Sequence, residues 1–121
     1  NNKIKKIKVN DSFDSKIKVV ASRSHSSPLL KDFLTIVGEY ELVSMGSSLK
    51  ICLIAEGSAD IYPRLAPTME WDTAAAHAVL KFANGSLIDL DTKSEMVYNR
   101  ENLTNSHFIA NSSINIASFL E

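Results

Sequence analysis

Two acidic side chains flank a tryptophan at the start of a predicted helix, in the segment Met69-Glu-Trp-Asp72. Acidic residues are common in the first turn of a helix because the helix dipole favours negative charge there, so a purely structural role is one explanation. A magnesium-ligand role is the alternative, since Mg²⁺ binds a few carboxylates together with phosphate oxygens and water. No cluster of further carboxylates follows in the sequence, so Asp72 would need partners from elsewhere in the fold.

A lysine lies in the first turn of another predicted helix, in the segment Gly46-Ser-Ser-Leu-Lys50. A cation there meets the positive end of the helix dipole, which is mildly unfavourable. The mismatch is removed if the helix start, the serine hydroxyls and Lys50 together bind an anion such as phosphate. The alternative is an exposed lysine behind an ordinary serine cap.

Two further segments carry groups suited to phosphate. Ser22-Arg-Ser-His25 follows the carboxyl end of a predicted strand, the side of an open α/β sheet where ligands usually bind. Arg64 lies between Pro63 and Leu65 and has a guanidinium that can contact phosphate or ribose. Ordinary polar surface residues are the alternative in both cases.

Other chemistries find no support in the sequence. His77 is offset from the apolar stripe of its predicted helix, so we expect it to face solvent, and His107 lies at a strand edge without an evident partner. We find no Ser-His-Asp or Cys-His arrangement, no glycine-rich phosphate loop and no Cys/His zinc spacing. Covalent catalysis is therefore not indicated.

Strands and helices alternate along the chain. Alternating or β-branched runs predict strands, and apolar residues at three- and four-residue steps predict helices. We predict strands at 3–9, 17–21, 41–45, 59–62, 86–89 and 108–110, helices at 28–37, 49–55 and 71–82, and loops at 63–67 and 91–106. The alternation predicts a layered α/β domain with a mixed, about five-stranded sheet flanked by helices.

The third predicted helix has an apolar, alanine-rich stripe that we expect to pack closely. Its members recur at helical spacing before Asn84-Gly85, which predicts a left-handed stop. The stripe comprises Trp71, Ala74, Ala75, Ala78, Val79 and Phe82.

The composition restricts the partners. Thirteen basic and fourteen acidic residues nearly cancel, so nucleic acid and anionic membranes are not favoured. No apolar run approaches the roughly 20 residues of a spanning helix. The single cysteine, Cys52, lies in an apolar run, which predicts burial as a small hydrophobic residue and suits a reducing compartment. We therefore expect one domain over 1–121 in the cytoplasm, with peripheral association with the inner membrane left open.

Five segments taken in order resemble the 3'(2'),5'-bisphosphate nucleotidases of the inositol monophosphatase superfamily, over about residues 17 to 110. Trp-Asp-x-Ala-Ala is typical of the wider superfamily, and Ser-Arg-Ser-His with Gly-Ser-Ser-Leu-Lys is typical of the bisphosphate nucleotidases. The segments are Val19-Val-Ala-Ser-Arg-Ser-His25, Ser44-Met-Gly-Ser-Ser-Leu-Lys50, Ala55-Glu-Gly57, Asp60-Ile-Tyr-Pro-Arg-Leu65 and Trp71-Asp-Thr-Ala-Ala-Ala-His-Ala78.

The resemblance implies a function and a set of roles. Asp72 would be a magnesium ligand and substrate contact, with His25, Ser47, Lys50 and Arg64 contacting the nucleotide. Glu70 lies close to Asp72, but no role is assigned to it. The implied reaction is magnesium-dependent hydrolysis of adenosine 3',5'-bisphosphate to AMP and phosphate, with 3'-phosphoadenylyl sulfate as a related substrate, in sulfur assimilation and nucleotide metabolism.

The resemblance also implies a missing part. The family's amino-terminal half carries a Glu-Glu segment and an Asp-Pro-(Ile/Leu)-Asp-Gly-Thr segment that supply most metal ligands, and neither occurs here. The chain would then be the carboxy-terminal lobe of the inositol monophosphatase (sugar phosphatase) fold, with 1–16 at the junction. No complete catalytic set lies in it, so we expect an inactive isolated chain with an exposed apolar surface and a tendency to self-associate.

Two other functions stay open. One is a non-catalytic module that binds nucleotide phosphates or a partner. The other is an inositol monophosphatase or fructose bisphosphatase activity on the same fold, against which the Ser-Arg-Ser-His loop argues.

Overall fold

Six strands form the main sheet in the computed structural model, which describes residues 6–10, 16–21, 28–44, 50–66, 68–99 and 101–112. The strand order is β2-β1-β3-β8-β5-β6, and β4 and β7 form a separate two-stranded sheet. The strands are β1 (Ile17–Ala21), β2 (Tyr40–Ser44), β3 (Ile61–Arg64), β4 (Thr68–Met69), β5 (Ser86–Asp89), β6 (Ser94–Glu95), β7 (Thr104–Asn105) and β8 (Phe108–Asn111). The helices are α1 (Pro28–Val37), α2 (Lys50–Ala55) and α3 (Glu70–Phe82).

The main sheet is mixed, as predicted. β1 runs parallel to both β2 and β3, whereas β3–β8, β8–β5 and β5–β6 are antiparallel pairs. The sheet has six strands rather than about five because the two-residue strand β6 adds to its edge. β6 and β7 lie within the polar segment that the sequence predicts as loop.

Helices cover both faces of the sheet. Successive strand residues point to opposite faces, and neighbours such as Val19 and Val20 belong to different core clusters accordingly. Val20 and Tyr62 pack with Ile54 of α2 and Leu80 of α3. Val19 packs on the opposite face in the cluster that contains Phe33 of α1. The result is a helix–sheet–helix sandwich.

The predicted first strand is wrong over the part that the structure describes. Residues 6–9 form no strand, and residues 3–5 lie outside the described segments. Val9 is buried, and its amide donates to the Ala83 carbonyl at 3.0 Å. The segment thus packs Val9 against the end of α3, while its lysines at 6 and 8 stay exposed, instead of pairing with the sheet.

The fourth predicted strand is displaced. We expected it over 59–62 with a loop from Pro63, whereas β3 runs to Arg64. Proline lacks an N–H and is normally excluded from interior strands. Here the ladder between β1 and β3 is confined to Val19 and Ile61, so Pro63 lies beyond it and pairs only with Ile109 of β8.

The apolar stripe expected to pack on the sheet is instead exposed. Trp71 is 67% exposed and Phe82 is 87% exposed, whereas Thr73, His77 and Leu80 are the buried residues of α3. The prediction failed because the helix packs its other face on the sheet. An apolar surface is therefore exposed on α3.

The remaining predicted elements are confirmed within a residue or two. α1 ends before Gly38 and α2 before Gly57, both of which adopt positive φ. Asn84 adopts a positive φ after α3, as the Asn-Gly pair predicts. Within the described segments, no helix is long and apolar enough to cross a membrane.

Candidate functional site

A cleft brings together three of the residues selected from the sequence: Lys50, Arg64 and Asp72. Its volume is about 320 Å³. Its wall comprises Lys50, Ile51, Tyr62, Arg64, Thr68, Asp72, Thr73 and Phe108. Tyr62, Thr68 and Thr73 are not among the residues selected from the sequence, although Tyr62 and Thr73 lie in the quoted segments Asp60–Leu65 and Trp71–Ala78.

The strand and helix ends explain why these side chains meet. Lys50 is the first residue of α2, Arg64 is the last residue of β3, and Asp72 lies in the first turn of α3. Arg64 pairs with Phe108, the first residue of β8, which completes the same edge. A carboxyl strand end facing two helix starts is the common ligand site of α/β sheets.

The cleft contains two cations without a compensating carboxylate contact. Among the residues that the structure describes, neither Lys50 nor Arg64 forms a salt bridge. Lys50 is only 6% exposed. Burial lowers the pKa of its ammonium from the ordinary value of 10.5, and the positive charge of Arg64 lowers this pKa further. In the described part of the cleft wall, two cations face the single carboxylate of Asp72, so the net charge is positive and favours an anionic ligand.

Tyr62 contacts both cations of the cleft. The Lys50 ammonium lies 5.5 Å from the centre of the Tyr62 ring, within range of a cation–π contact. Burial raises the pKa of the Tyr62 hydroxyl from 10.0, while Arg64 acts in the opposite direction through its charge and a hydrogen bond. Phe108 packs edge-on against Tyr62 with ring centres 5.8 Å apart and fixes the ring.

Arg64 has an unused donor. Its Nε is buried and has no hydrogen-bond partner within the described residues. A buried unpaired donor costs free energy, and phosphate or carboxylate oxygens are the acceptors that a guanidinium pairs with best. The cleft is thus chemically suited to a phosphate group.

Asp72 is held at one oxygen. Its Oδ2 accepts a hydrogen bond from the Met69 amide at 2.9 Å, which is half of a capping box. Glu70 is similarly engaged, since its Oε1 accepts from the Asn99 amide at 2.9 Å. Within the described residues, no hydrogen bond engages Asp72 Oδ1. Both acidic side chains therefore bind backbone amides at the start of α3, as a structural role requires. Among the described residues, Asp72 Oδ1 remains available for a ligand.

The donor set fits one ligand of a magnesium site and not a whole site. Asp72 is exposed and offers a hard carboxylate oxygen at the cleft, as Mg²⁺ requires. The described residues contain no group of three or more His, Cys, Asp or Glu side chains that could hold a metal ion. Any magnesium bound at Asp72 would need further ligands.

His77 is not exposed to solvent as predicted. It is 6% exposed, and its Nδ1 and Nε2 lie 2.7 Å from the Tyr98 hydroxyl and from Glu95 Oε1. Tyr98 in turn contacts Thr73 of the cleft wall at 3.2 Å. The spacing of Thr73, His77 and Leu80 places them on one face of α3 and could have indicated that His77 is buried. The partners of His77, Tyr98 and Glu95, lie in a segment without periodicity and could not be predicted.

Of the other selected residues, Cys52 and His107 lie outside the cleft lining. His25 and Ser47 lie outside the described residues, as does the Ser22–His25 loop. Cys52 is a free thiol and half-buried rather than fully buried. His107 is half-buried, and its carbonyl accepts from the Leu90 amide.

The whole sequence was also compared with known proteins. The model of the inositol monophosphatase family matches residues 1–119. The chain belongs to the inositol monophosphatase family. Within it, the chain is 48% identical over 90 residues to the 3'(2'),5'-bisphosphate nucleotidase CysQ of Escherichia coli (strain K12). That match covers 74% of this chain and 37% of the relative.

Solved structures of the family agree with the fold. A crystal structure of CysQ from Bacteroides thetaiotaomicron has a TM-score of 0.78 and 42% identity, covering 88% of this chain and 41% of that one. An inositol monophosphatase from Anabaena has a TM-score of 0.67 at 22% identity, covering 94% of this chain and 45% of that one, and shows the fold alone. The chain thus spans about two fifths of the length of these relatives.

Proposed function

We propose that this chain is the carboxy-terminal lobe of a magnesium-dependent 3'(2'),5'-bisphosphate nucleotidase. The full-length enzyme hydrolyses adenosine 3',5'-bisphosphate to AMP and phosphate, and 3'-phosphoadenylyl sulfate is a related substrate. The observation that carries the proposal is the meeting of Lys50, Arg64 and Asp72 in one cleft. The names of the relatives at 46–48% identity support the substrate class.

Lys50 and Arg64 bind the phosphate oxygens of the nucleotide. The buried ammonium regains a counter-charge when the anion binds, and the Arg64 Nε–H gains an acceptor. Both gains make binding of an anion favourable. His25 and Ser47 are proposed to add further nucleotide contacts, since β1 runs parallel to β3 and ends on the same side of the sheet.

Asp72 supplies one metal ligand through Oδ1 while Oδ2 stays fixed by Met69. Magnesium, when bound, neutralises phosphate charge and activates the attacking water. The remaining ligands are proposed to come from an amino-terminal lobe outside this chain, so the isolated chain is inactive. Such an enzyme would act in the cytoplasm, in sulfur assimilation and nucleotide metabolism.

The experiment is release of phosphate from adenosine 3',5'-bisphosphate at saturating magnesium, by this chain and by the full-length protein. We expect activity only in the full-length protein. There, Asp72→Asn should lower kcat by at least about a hundredfold while retaining an acceptor for the Met69 amide. Asp91→Asn, an exposed carboxylate outside the cleft, is the matched control. Activity in the isolated chain, or an unaffected Asp72→Asn enzyme, would refute the proposal.

One observation favours a second function, a non-catalytic module that binds nucleotide phosphates. Within the described segments the cleft has two cations but a single carboxylate, which suffices for binding an anion but not for holding a metal. Such a module binds adenosine 3',5'-bisphosphate equally with magnesium and with a chelator, and its full-length protein releases no phosphate.

A further inference from the structure

The buried amide side chain of Asn105 contacts two residues of the cleft wall, Thr68 and Thr73, and the adjoining Met69. The Asn105 Nδ2 group lies 3.0 Å from Thr68 Oγ1, 2.9 Å from the Met69 carbonyl and 3.0 Å from Thr73 Oγ1. Asn105 belongs to β7, whereas its partners belong to β4 and α3. It therefore fixes the junction at which α3 begins.

The Thr73 hydroxyl also contacts a series of hydrogen-bonded side chains, Tyr98, His77 and Glu95, which we call the Tyr98 arm. The Tyr98 hydroxyl lies 3.2 Å from Thr73 Oγ1 and 2.7 Å from His77 Nδ1. His77 Nε2 lies 2.7 Å from Glu95 Oε1, which also accepts from the Leu87 amide at 3.1 Å. Lys81 faces the same carboxylate at 3.8 Å. The arm is thereby anchored to β5 and β6.

The hydrogens in this arm can be counted. The Tyr98 hydroxyl has one hydrogen, which it donates to Thr73 Oγ1. The Thr73 hydroxyl in turn donates to the Glu70 carbonyl at 3.4 Å. The Tyr98 oxygen keeps its lone pairs for the contact with His77 Nδ1. Each of these groups therefore has a partner.

Asn105 and the Tyr98 arm both contact groups next to Asp72. Asn105 holds the carbonyl of Met69, and the amide of Met69 donates to Asp72 Oδ2. Thr73, which both of them contact, is the neighbour of Asp72 in the first turn of α3. The orientation of the Asp72 carboxylate is therefore set by groups behind the cleft wall.

We propose that Tyr98 and His77, acting with Asn105 through Thr73, are positioning residues that aim Asp72 Oδ1 into the cleft. The proposal rests on the proposed function, because it takes Asp72 as the metal ligand. Neither Tyr98 nor His77 lines the cleft, and Tyr98 contacts the cleft residue Thr73. Partners that orient a metal-binding carboxylate contribute about 10- to 100-fold to metal affinity in general.

The test is binding of Mn²⁺ to the full-length protein, with free Mn²⁺ counted by its electron paramagnetic resonance signal. We expect Tyr98→Phe to weaken Mn²⁺ binding by about tenfold. Binding of adenosine 3',5'-bisphosphate in chelator should change by less than about twofold, because Lys50 and Arg64 are untouched. Tyr40→Phe removes a hydroxyl on the other face of the sheet and serves as the matched control.

A second pair of variants isolates the hydroxyl that Asn105 and the Tyr98 arm both contact. Thr73→Val keeps the shape but removes the oxygen, whereas Thr73→Ser keeps the oxygen. We expect weakened Mn²⁺ binding in Thr73→Val and near-normal binding in Thr73→Ser. If Tyr98→Phe does not fold, these two variants still test whether the Thr73 hydroxyl contributes to Mn²⁺ binding.

The outcomes separate the two proposals. Loss of Mn²⁺ binding in Asp72→Asn but not in Tyr98→Phe or Thr73→Val would overturn the positioning role and leave the metal ligand in place. Unchanged binding in Asp72→Asn would refute Asp72 as the ligand and the positioning role with it. Equal weakening of Mn²⁺ and nucleotide binding in Tyr98→Phe would show a purely structural role and also overturn the proposal.

Discussion

Lys50 illustrates how a single buried charge can prepare a site. Its ammonium lies at the start of α2, next to Arg64, with an aromatic ring in place of a carboxylate. Taking a charge out of water is costly unless it is paired. A bound anion would offset this cost, which supports the proposal that the cleft binds a phosphate group.

The lowered pKa of Lys50 predicts how nucleotide binding depends on pH. Binding of an anion favours the charged ammonium, so affinity should fall once Lys50 loses its proton. Because burial and Arg64 place this pKa below 10.5, the fall begins at lower pH than an ordinary lysine would give. Titration calorimetry of the chain with adenosine 3',5'-bisphosphate in chelator, at several pH values up to about 10, measures it. Lys50→Met should bind weakly with no such fall, and the exposed Lys31→Met should behave as the original protein.

The same shift predicts a pH dependence of stability. The folded pKa of Lys50 lies below the unfolded value of 10.5, so between the two the unfolded chain binds more protons and the free energy of unfolding rises with pH. Tyr62 acts oppositely above pH 10.0, because its folded pKa is raised and the unfolded chain ionises first. Urea denaturation should therefore show a rise below about pH 10 that Lys50→Met lacks. An identical profile in that variant would contradict the assignment.

The charged residues of the cleft could be selected from the sequence, whereas the residues that support them could not, for a physical reason. Lys50 and Asp72 lie in first turns of helices, where local charge patterns are informative. Asn105, Tyr98 and Glu95 come from the segment between β5 and β8, where no periodicity orients a side chain. Apart from the contacts of the Glu95 carboxylate with the Leu87 amide and with Lys81, the partners of these side chains are 18 to 37 residues away in the chain, so only the folded structure brings them together.

At the scale of elements, periodicity identified α3 but not the face that packs. The stripe with Trp71 and Phe82 is the more apolar one, yet the sheet takes the stripe with Thr73 and His77. Hydrogen bonds to Tyr98, Glu95 and Asn105 make that polar stripe compatible with burial. When both faces of a helix can be buried, its orientation can be predicted only once the residues that pack against each face are known.

Gly85, between α3 and β5, is the element junction most sensitive to substitution. A Cβ at this position would clash with Leu80 Cδ1 and lie 2.8 Å from the Asn111 carbonyl oxygen, which belongs to the sheet and cannot move freely. We expect Gly85→Ala to lower the free energy of unfolding by about 2–4 kcal/mol. Gly38→Ala, where a Cβ meets nothing within 4 Å but φ is +86°, should lose only about 1 kcal/mol. Urea denaturation compares them, and equal losses would contradict the steric argument.

At the scale of the whole molecule, the unpacked face of α3 is the dominant feature. Ile7, Val79 and Phe82 line an apolar groove of about 460 Å³, and Trp71 lies exposed on the same helix. Exposed apolar patches of this kind mark interaction surfaces. Since the chain spans about two fifths of its relatives, we expect the rest of the full-length protein to cover this face. In the isolated chain the same face should promote self-association.

Phe82→Lys tests which surface is covered. In the isolated chain Phe82 is 87% exposed, so the variant should change the free energy of unfolding by less than about 0.5 kcal/mol and reduce any concentration-dependent association seen by size-exclusion chromatography. In the full-length protein the lysine would enter a buried apolar interface, and we expect a loss of about 2–4 kcal/mol in the free energy of unfolding. Leu29→Lys changes an exposed leucine of α1 on the opposite side of the sheet and should be neutral in both proteins. The same substitution is compared in the isolated chain and in the full-length protein. Any intrinsic effect of the lysine on the stability of α3 is therefore present in both and cancels in the difference. Equal stability losses in both proteins would mean that this face of α3 stays exposed in the full-length protein. Another region of the chain would then contact the rest of the protein.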